Sequence, residues 1–228
     1  LADYAMSRDG LTHDLLITMV LSAAAGVLVS LVVALPALRL RNEYFRIATL
    51  GFQSIIFSVF MNLDITGGPN GLYGIPHAQL LGMTFKSSLA KFLLALALAV
   101  ICYVLARRVT RSPFGRLLRA VREDQTAVSS LGKSVFRIKF TIFVFSAIFA
   151  AAAGTLYAYS ITAIDPIAFN LDESIFIITL VIVGGTGSLN GSVLAAVLLI
   201  LLPEAIKFLP IPGLIAPQLR QIMYGLLL

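Results

Sequence analysis

Residues 15–38 run from Leu15 to Leu38 without a single charged side chain. A helix of that length is about 36 Å long at roughly 1.5 Å per residue, enough to cross a hydrocarbon core of about 30 Å. Residues 44–61, 87–106 and 140–160 repeat the pattern, and 174–202 is apolar on both sides of a glycine-rich break. Arg46 interrupts the second stretch near its start, where its stem can carry the charge back to the headgroups. Hydrophobic residues make up 59% of the chain and charged residues 12%, against about 25% charged in soluble domains. So much apolar surface cannot be hidden within 228 residues, and lipid must cover part of it. The expected fold is an all-α polytopic membrane protein.

Charge sets the orientation. Seventeen basic and eleven acidic residues give +6. The basic residues crowd beside the apolar runs rather than forming a face interleaved with aromatics, which excludes a nucleic-acid surface and reads as positive-inside bias. Arg39 and Arg41 follow the first run. Arg107 and Arg108 end the third, and Arg111, Arg116, Arg119, Arg122, Lys133, Arg137 and Lys139 continue the series. Residues 107–139 are therefore expected to be a cytoplasmic loop, and the irregular stretch 62–85 an outer one. Cys102 stands alone in an apolar run, so no disulfide forms within the chain. Leu1 is not an initiator methionine and Leu228 ends inside an apolar run. The sequence reads as one transmembrane domain, 1–228, cut at both ends.

Four glycines among residues 184–191 (Gly184, Gly185, Gly187, Gly191) cannot hold a uniform helix. Either 174–202 is one kinked span, or it is a pair of half-helices that enters and leaves on the outer side. The second reading is preferred, because 174–183 offers only about 15 Å of helix. Irregular backbone at membrane depth survives only where protein or a wet cavity covers it. The stretch 203–220 is proline-rich, and a last helix is expected from Gln221.

Within the basic loop, Ser112 can cap a helix, Pro113 suits its first position and Gly132 its end. Phe114, Leu117, Leu118, Val121, Val128 and Leu131 recur at three- and four-residue steps, with Arg116, Arg119, Arg122, Glu123 and Asp124 between them. Three readings stand. The element is an amphipathic helix resting on the membrane interface, a helical plug for a cytoplasmic partner, or an unspecialised polar loop.

Polar residues at depth are few. Thr49 and Gln53 share a helix face, either as interhelical contacts or as part of a translocation route. Thr66, Gly67, Gly68 and Asn70 form either an ordinary outer turn or a gate. Ser188 and Asn190 offer polar contacts beside the glycine break. His13 and His77 fall near the ends of spans and suggest no metal site. A proton-coupled carrier lacks the acid pair or buried lysine it needs. Residues 184–191 lack the lysine and spacing of a phosphate-binding loop, so nucleotide hydrolysis belongs to another chain.

Four stretches, taken in order, resemble the permease subunits of the high-affinity branched-chain amino acid ABC transporters. They are Leu35 to Arg41 with Tyr44 to Gly51, Thr66 to Pro76, Ser112 to Asp124, and Val183 to Gly191. With the helices between them they cover nearly the whole chain. The resemblance implies a second, related permease as partner, two cytoplasmic ATPases that use ATP and Mg, and a periplasmic protein delivering leucine, isoleucine or valine. It places the chain in a bacterial inner membrane, with no cofactor of its own and no enzyme activity. It matches 113–132 to the coupling helix that docks on an ATPase, with Arg116, Arg119, Arg122, Glu123, Asp124, Leu131 and Gly132 as its contacts. Thr49, Gln53, Thr66, Gly67, Gly68, Asn70, Gly184, Gly185, Gly187, Ser188 and Asn190 are the candidates for pathway or gate. A urea or other small-amide importer is the nearest competing reading. A secondary carrier and a purely structural membrane subunit are the others.

Overall fold

The long apolar runs fold as helices. The computed structural model describes residues 15–40, 42–75, 79–80, 83–84 and 87–206. His13, Arg41, Pro76, His77, residues 207–220 and the helix expected from Gln221 lie outside these residues, as does the side chain of Arg46. Leu15–Ala37, Ser88–Arg111, Val135–Ile161 and Pro166–Val183 are each long and apolar enough to cross a membrane. The chain is a helical, multi-pass membrane protein. It divides into two compact units, Leu1–Phe169 and Asn170–Leu228.

The first unit is built on α1 (Leu15–Ala37) and α2 (Asn42–Asn62), followed by a turn of two short 3-10 segments and β1 (Leu72–Tyr73). β2 (Gln79–Leu80) and β3 (Met83–Thr84) pair with each other. Next come α3 (Ser88–Arg111), α4 (Pro113–Glu123), α5 (Gln125–Ser130), α6 (Val135–Ile161) and β4 (Ala163–Ile164).

α1 and α6 pack antiparallel, and their seam is made of small and hydroxyl-bearing residues. A Cβ added to Gly26 would sit 3.1 Å from Ala151 Cβ and 3.2 Å from the Ala147 carbonyl. Ser22 Oγ and Thr155 Oγ1 are 2.6 Å apart, and the Tyr159 hydroxyl donates to Thr18 Oγ1 at 3.0 Å. In lipid, helices gain little from hiding apolar surface, so close backbone approach and interhelical hydrogen bonds hold them together. The alanine-rich composition of 140–160 points to such a seam. Ala152, Thr155, Leu156, Ala158 and Tyr159 are buried in it.

The two ends of this unit differ in charge. At one end β1 pairs antiparallel with β4, Leu72 opposite Ile164 and Tyr73 opposite Ala163, which brings the end of α2 to the end of α6. Lys91, in the first turn of α3, donates to the Ser160 carbonyl at 2.9 Å. This end carries Lys91 with Asp64 and Asp165. At the other end lie the exit of α1 with Arg39, the last turn of α3 with Arg108 and Arg111, and the first turn of α6 with Arg137 and Lys139. The contacts reproduce the alternating path that the charges imply.

In the second unit, α7 (Leu171–Val183) is capped by Asn170, whose side chain accepts the Glu173 amide at 3.1 Å. α8 (Leu189–Ile206) follows after a short turn and packs on α7. Ser188 Oγ accepts the Gly191 amide at 3.1 Å and so starts α8. A Cβ on Gly184 would lie 2.6 Å from both Gly191 C and Ser192 Cα. The backbones touch there, and only a hydrogen atom fits between them. The segment is thus two short helices joined by a turn rather than one kinked rod. α8 continues through Pro203, a turn beyond the expected boundary at Leu202.

Candidate functional site

α2 presents one continuous stripe, Thr49, Phe52, Gln53, Ile56, Phe57 and Phe60, at three- and four-residue steps that stack on one helix face. This stripe forms a wall of a cavity of about 550 Å³ within the first unit. Val33 of α1, Phe143 of α6, Thr66 and Leu72 of the turn, and Ile164, Pro166 and Phe169 beyond α6 complete the lining. The volume falls in the roughly 300–1,000 Å³ range of small-molecule sites. Ten of these side chains are apolar and three, Thr49, Gln53 and Thr66, are polar. Such a wall suits a mainly apolar occupant.

The turn holds that end of the cavity in shape. Thr66 is 7% exposed, and its hydroxyl lies 2.9 Å from the Phe60 carbonyl and 2.7 Å from the Leu63 carbonyl. Gly71 has φ 72°, and a Cβ there would collide with the Ile164 carbonyl, so a side chain would force β1 away from β4. Of the turn residues proposed from sequence, Thr66 lines the cavity. Gly67, Gly68 and Asn70 shape the loop behind it, with Asn70 N–H donating to Gly67 O at 3.2 Å. Gly184, Gly185, Gly187, Ser188 and Asn190 belong to the second unit and build the α7–α8 turn there.

The second feature is the basic element. Only Ser112 separates α3 from α4. Its hydroxyl donates to the Val109 carbonyl at 2.6 Å and accepts the Gly115 amide at 3.3 Å. A Cβ on Gly115 would collide with the Thr110 carbonyl, so this corner is tight. The sequence reading runs one helix from Phe114 to Leu131. Instead the helix breaks at Asp124, which has extended backbone (φ −150°) and a carboxylate accepting the Thr126 and Ala127 amides at 2.7 and 3.1 Å. Capping satisfies amides that a continuous helix would have paired internally. Gly132, at φ 74°, stops α5 as expected.

The apolar stripe of this element is turned inward. Val121 and Val128 pack with Ile138 of α6, and Phe114, Leu117, Leu118 and Val135 close around them. Leu131 does not join them and is 78% exposed. Arg116, Arg119, Arg122, Glu123, Asp124 and Gly132 are also exposed. Arg122 pairs with Glu123 at 2.8 Å, an exposed contact of about 0–1 kcal/mol that does little to fix either group. An element that spends its apolar face on its own chain has little left to lay on lipid, which disfavours the interfacial reading.

The family described as branched-chain amino acid transport system / permease component matches residues 2–228. The chain belongs to this permease family. The high-affinity branched-chain amino acid transport system permease protein LivM of Salmonella typhimurium is 39% identical over 210 residues, covering 82% of this chain and 48% of that protein. The protein of the same description from Escherichia coli K12 is 37% identical over 211 residues, covering 82% and 49%. The probable branched-chain amino acid transport permease protein LivM of Methanocaldococcus jannaschii is 26% identical, covering 78% and 52%. The chain thus spans about half the length of the curated relatives it matches. No solved structure gives a significant match.

In this permease, sequence reasoning found Thr49 and Gln53 but missed their neighbours Phe52, Ile56, Phe57 and Phe60, although the same helical spacing carries all six. It also missed Val33, Phe143 and Phe169, which no local pattern connects to α2. The seam residues Thr18, Ser22, Thr155 and Tyr159 were missed as well. Hydroxyls at i, i+4 steps, as in Thr18 with Ser22 and Thr155 with Tyr159, were the available signal.

Proposed function

We propose that this chain is part of the membrane-spanning permease of an ATP-driven importer for branched-chain amino acids in a bacterial inner membrane. A second, related permease completes the pathway. Two cytoplasmic ATPases supply the work, using ATP and Mg, and a periplasmic binding protein supplies leucine, isoleucine or valine. The chain itself performs no chemistry on its cargo.

The observation that carries this reading is the basic element set between α3 and α6 with almost no slack. One residue joins α4 to α3, and Val121 and Val128 seat it on the first turns of α6. A push on the exposed side chains among residues 116–132 is passed to two spans at once. Membership of a branched-chain amino acid transport permease family supports an ATPase as the source of that push. The cavity supports the cargo class. Its aromatic and aliphatic wall suits an isobutyl or sec-butyl group better than a molecule without an apolar part, such as urea. Weak binding suffices, because the delivery protein selects.

The test is uptake of labelled leucine into proteoliposomes holding the full-length protein, its companion permease, both ATPases and the loaded binding protein. Uptake that needs ATP hydrolysis is expected. Uptake that persists with inactivated ATPases makes this a carrier. Uptake of urea in place of all three amino acids moves the cargo assignment.

A further inference from the structure

A second cavity, of about 290 Å³, lies toward the basic end of the first unit, lined by Leu38, Leu40, Phe45, Lys139, Ile142, Phe143 and Ser146. Phe143 lines this cavity and the larger one alike. The larger cavity touches Val33 of α1, and the smaller begins at Leu38, the residue after its end. On α2 the smaller touches Phe45 and the larger begins at Thr49. The two spaces therefore follow one another along the same gap between α1, α2 and α6, and the Phe143 ring stands where they meet.

Lys139 lies one helical turn before Phe143, on the same face of α6. Its stem lines the smaller cavity, while its ammonium donates to Gln125 Oε1, at the start of α5, at 3.0 Å. This hydrogen bond is exposed, and it joins the element to α6 one turn before the ring, beside the buried packing of Val121 and Val128 on Ile138.

We propose that Phe143 is the barrier between the two cavities, and that the Gln125–Lys139 bond ties this barrier to the motion of α4 and α5. The inference deepens the transport reading and rests on it for the source of the motion. An aromatic side chain fills the junction with apolar volume that neither water nor a zwitterion crosses readily. Displacing Gln125 pulls on the first turns of α6 and shifts the ring relative to the α2 wall. Phe143 touches the route, whereas Lys139 and Gln125 act through it as positioning residues.

Thiol accessibility tests both parts without needing a cargo. The assembled complex of the full-length protein, cysteine-free except for Leu38→Cys in the smaller cavity, is placed in sealed right-side-out vesicles. A membrane-impermeant maleimide is then added outside. With Phe143 present, labelling is slow. Phe143→Ala raises its rate about tenfold, and Phe143→Trp keeps it slow. Equal rates in all three overturn the barrier. ATP loaded inside the vesicles changes the rate severalfold when Lys139 is present. That response is lost in Lys139→Met and in Gln125→Ala and restored in Lys139→Arg. A response that survives both Met and Ala overturns the tie. Unchanged ATPase activity and complex size certify that each variant is folded. A wild-type complex that fails to import leucine sinks the transport reading alone, because the labelling still reports the barrier.

Discussion

Gly71 and Gly74 both have positive φ, at 72° and 79°, yet their surroundings differ. A Cβ at Gly71 would collide with the Ile164 carbonyl, while nothing lies within 4 Å of one at Gly74. Each substitution to alanine puts a side chain at positive φ, a cost of order 1 kcal/mol that is larger at Gly71, whose ψ of −168° lies in a region kept essentially for glycine. Gly71→Ala adds the loss of the β1–β4 pairing. It is expected to lower the thermal midpoint of the purified protein by more than Gly74→Ala does. Equal shifts in a melting assay would show that the close approach to Ile164 is not what holds the turn. The glycines themselves were legible as a turn, because Thr66-Gly67-Gly68-Pro69-Asn70-Gly71 offers little else. Which glycine faces a carbonyl from residue 164 was not legible, since that neighbour lies nearly a hundred positions along the chain.

At the scale of the element, α4 and α5 owe their separation to one carboxylate. Asp124→Ala removes the cap on Thr126 and Ala127, a loss of about 1 kcal/mol, and such a loss multiplies local opening about fivefold. Amide exchange at Ala127 and Val128 is expected to speed up accordingly in Asp124→Ala and to stay slow in Asp124→Asn. Unchanged exchange in the alanine variant would place the break elsewhere. Pro113 and Gly132 marked the outer limits of this element in the sequence. The inner break did not show, because Glu123, Asp124 and Gln125 also read as the solvated face of one continuous helix, and periodicity does not register a side chain that bonds its own backbone. The same limit explains Leu131, which fits the apolar step count from Val128 but falls beyond the end of α5.

For the molecule as a whole, the positive residues gathered at one end of α1, α3 and α6 predict that this end faces the cytoplasm. With single cysteines at Leu131 and at Gly74, an impermeant thiol reagent added to intact cells should modify position 74 and leave 131 untouched. Modification of 131 from outside would reverse the topology and overturn the proposed docking of an ATPase there. The helices Leu15–Ala37, Ser88–Arg111 and Val135–Ile161 were readable as spans from sequence because each is a local property of twenty or so residues. The cavity was half readable. Its α2 wall lies on one helix and obeys one period, whereas Val33, Phe143 and Phe169 meet it only after the chain has folded. The antiparallel pairing of β1 with β4 has a mechanical corollary. Two residue pairs fasten α2 to α6 at the end remote from the basic loop, so on the transport reading proposed above a swing of α6 driven near Gln125 pivots about that fastening like one arm of a pair of tongs. The gap beside Leu38 and Phe45 then widens most, while the distance between Leu72 and Ile164 hardly changes.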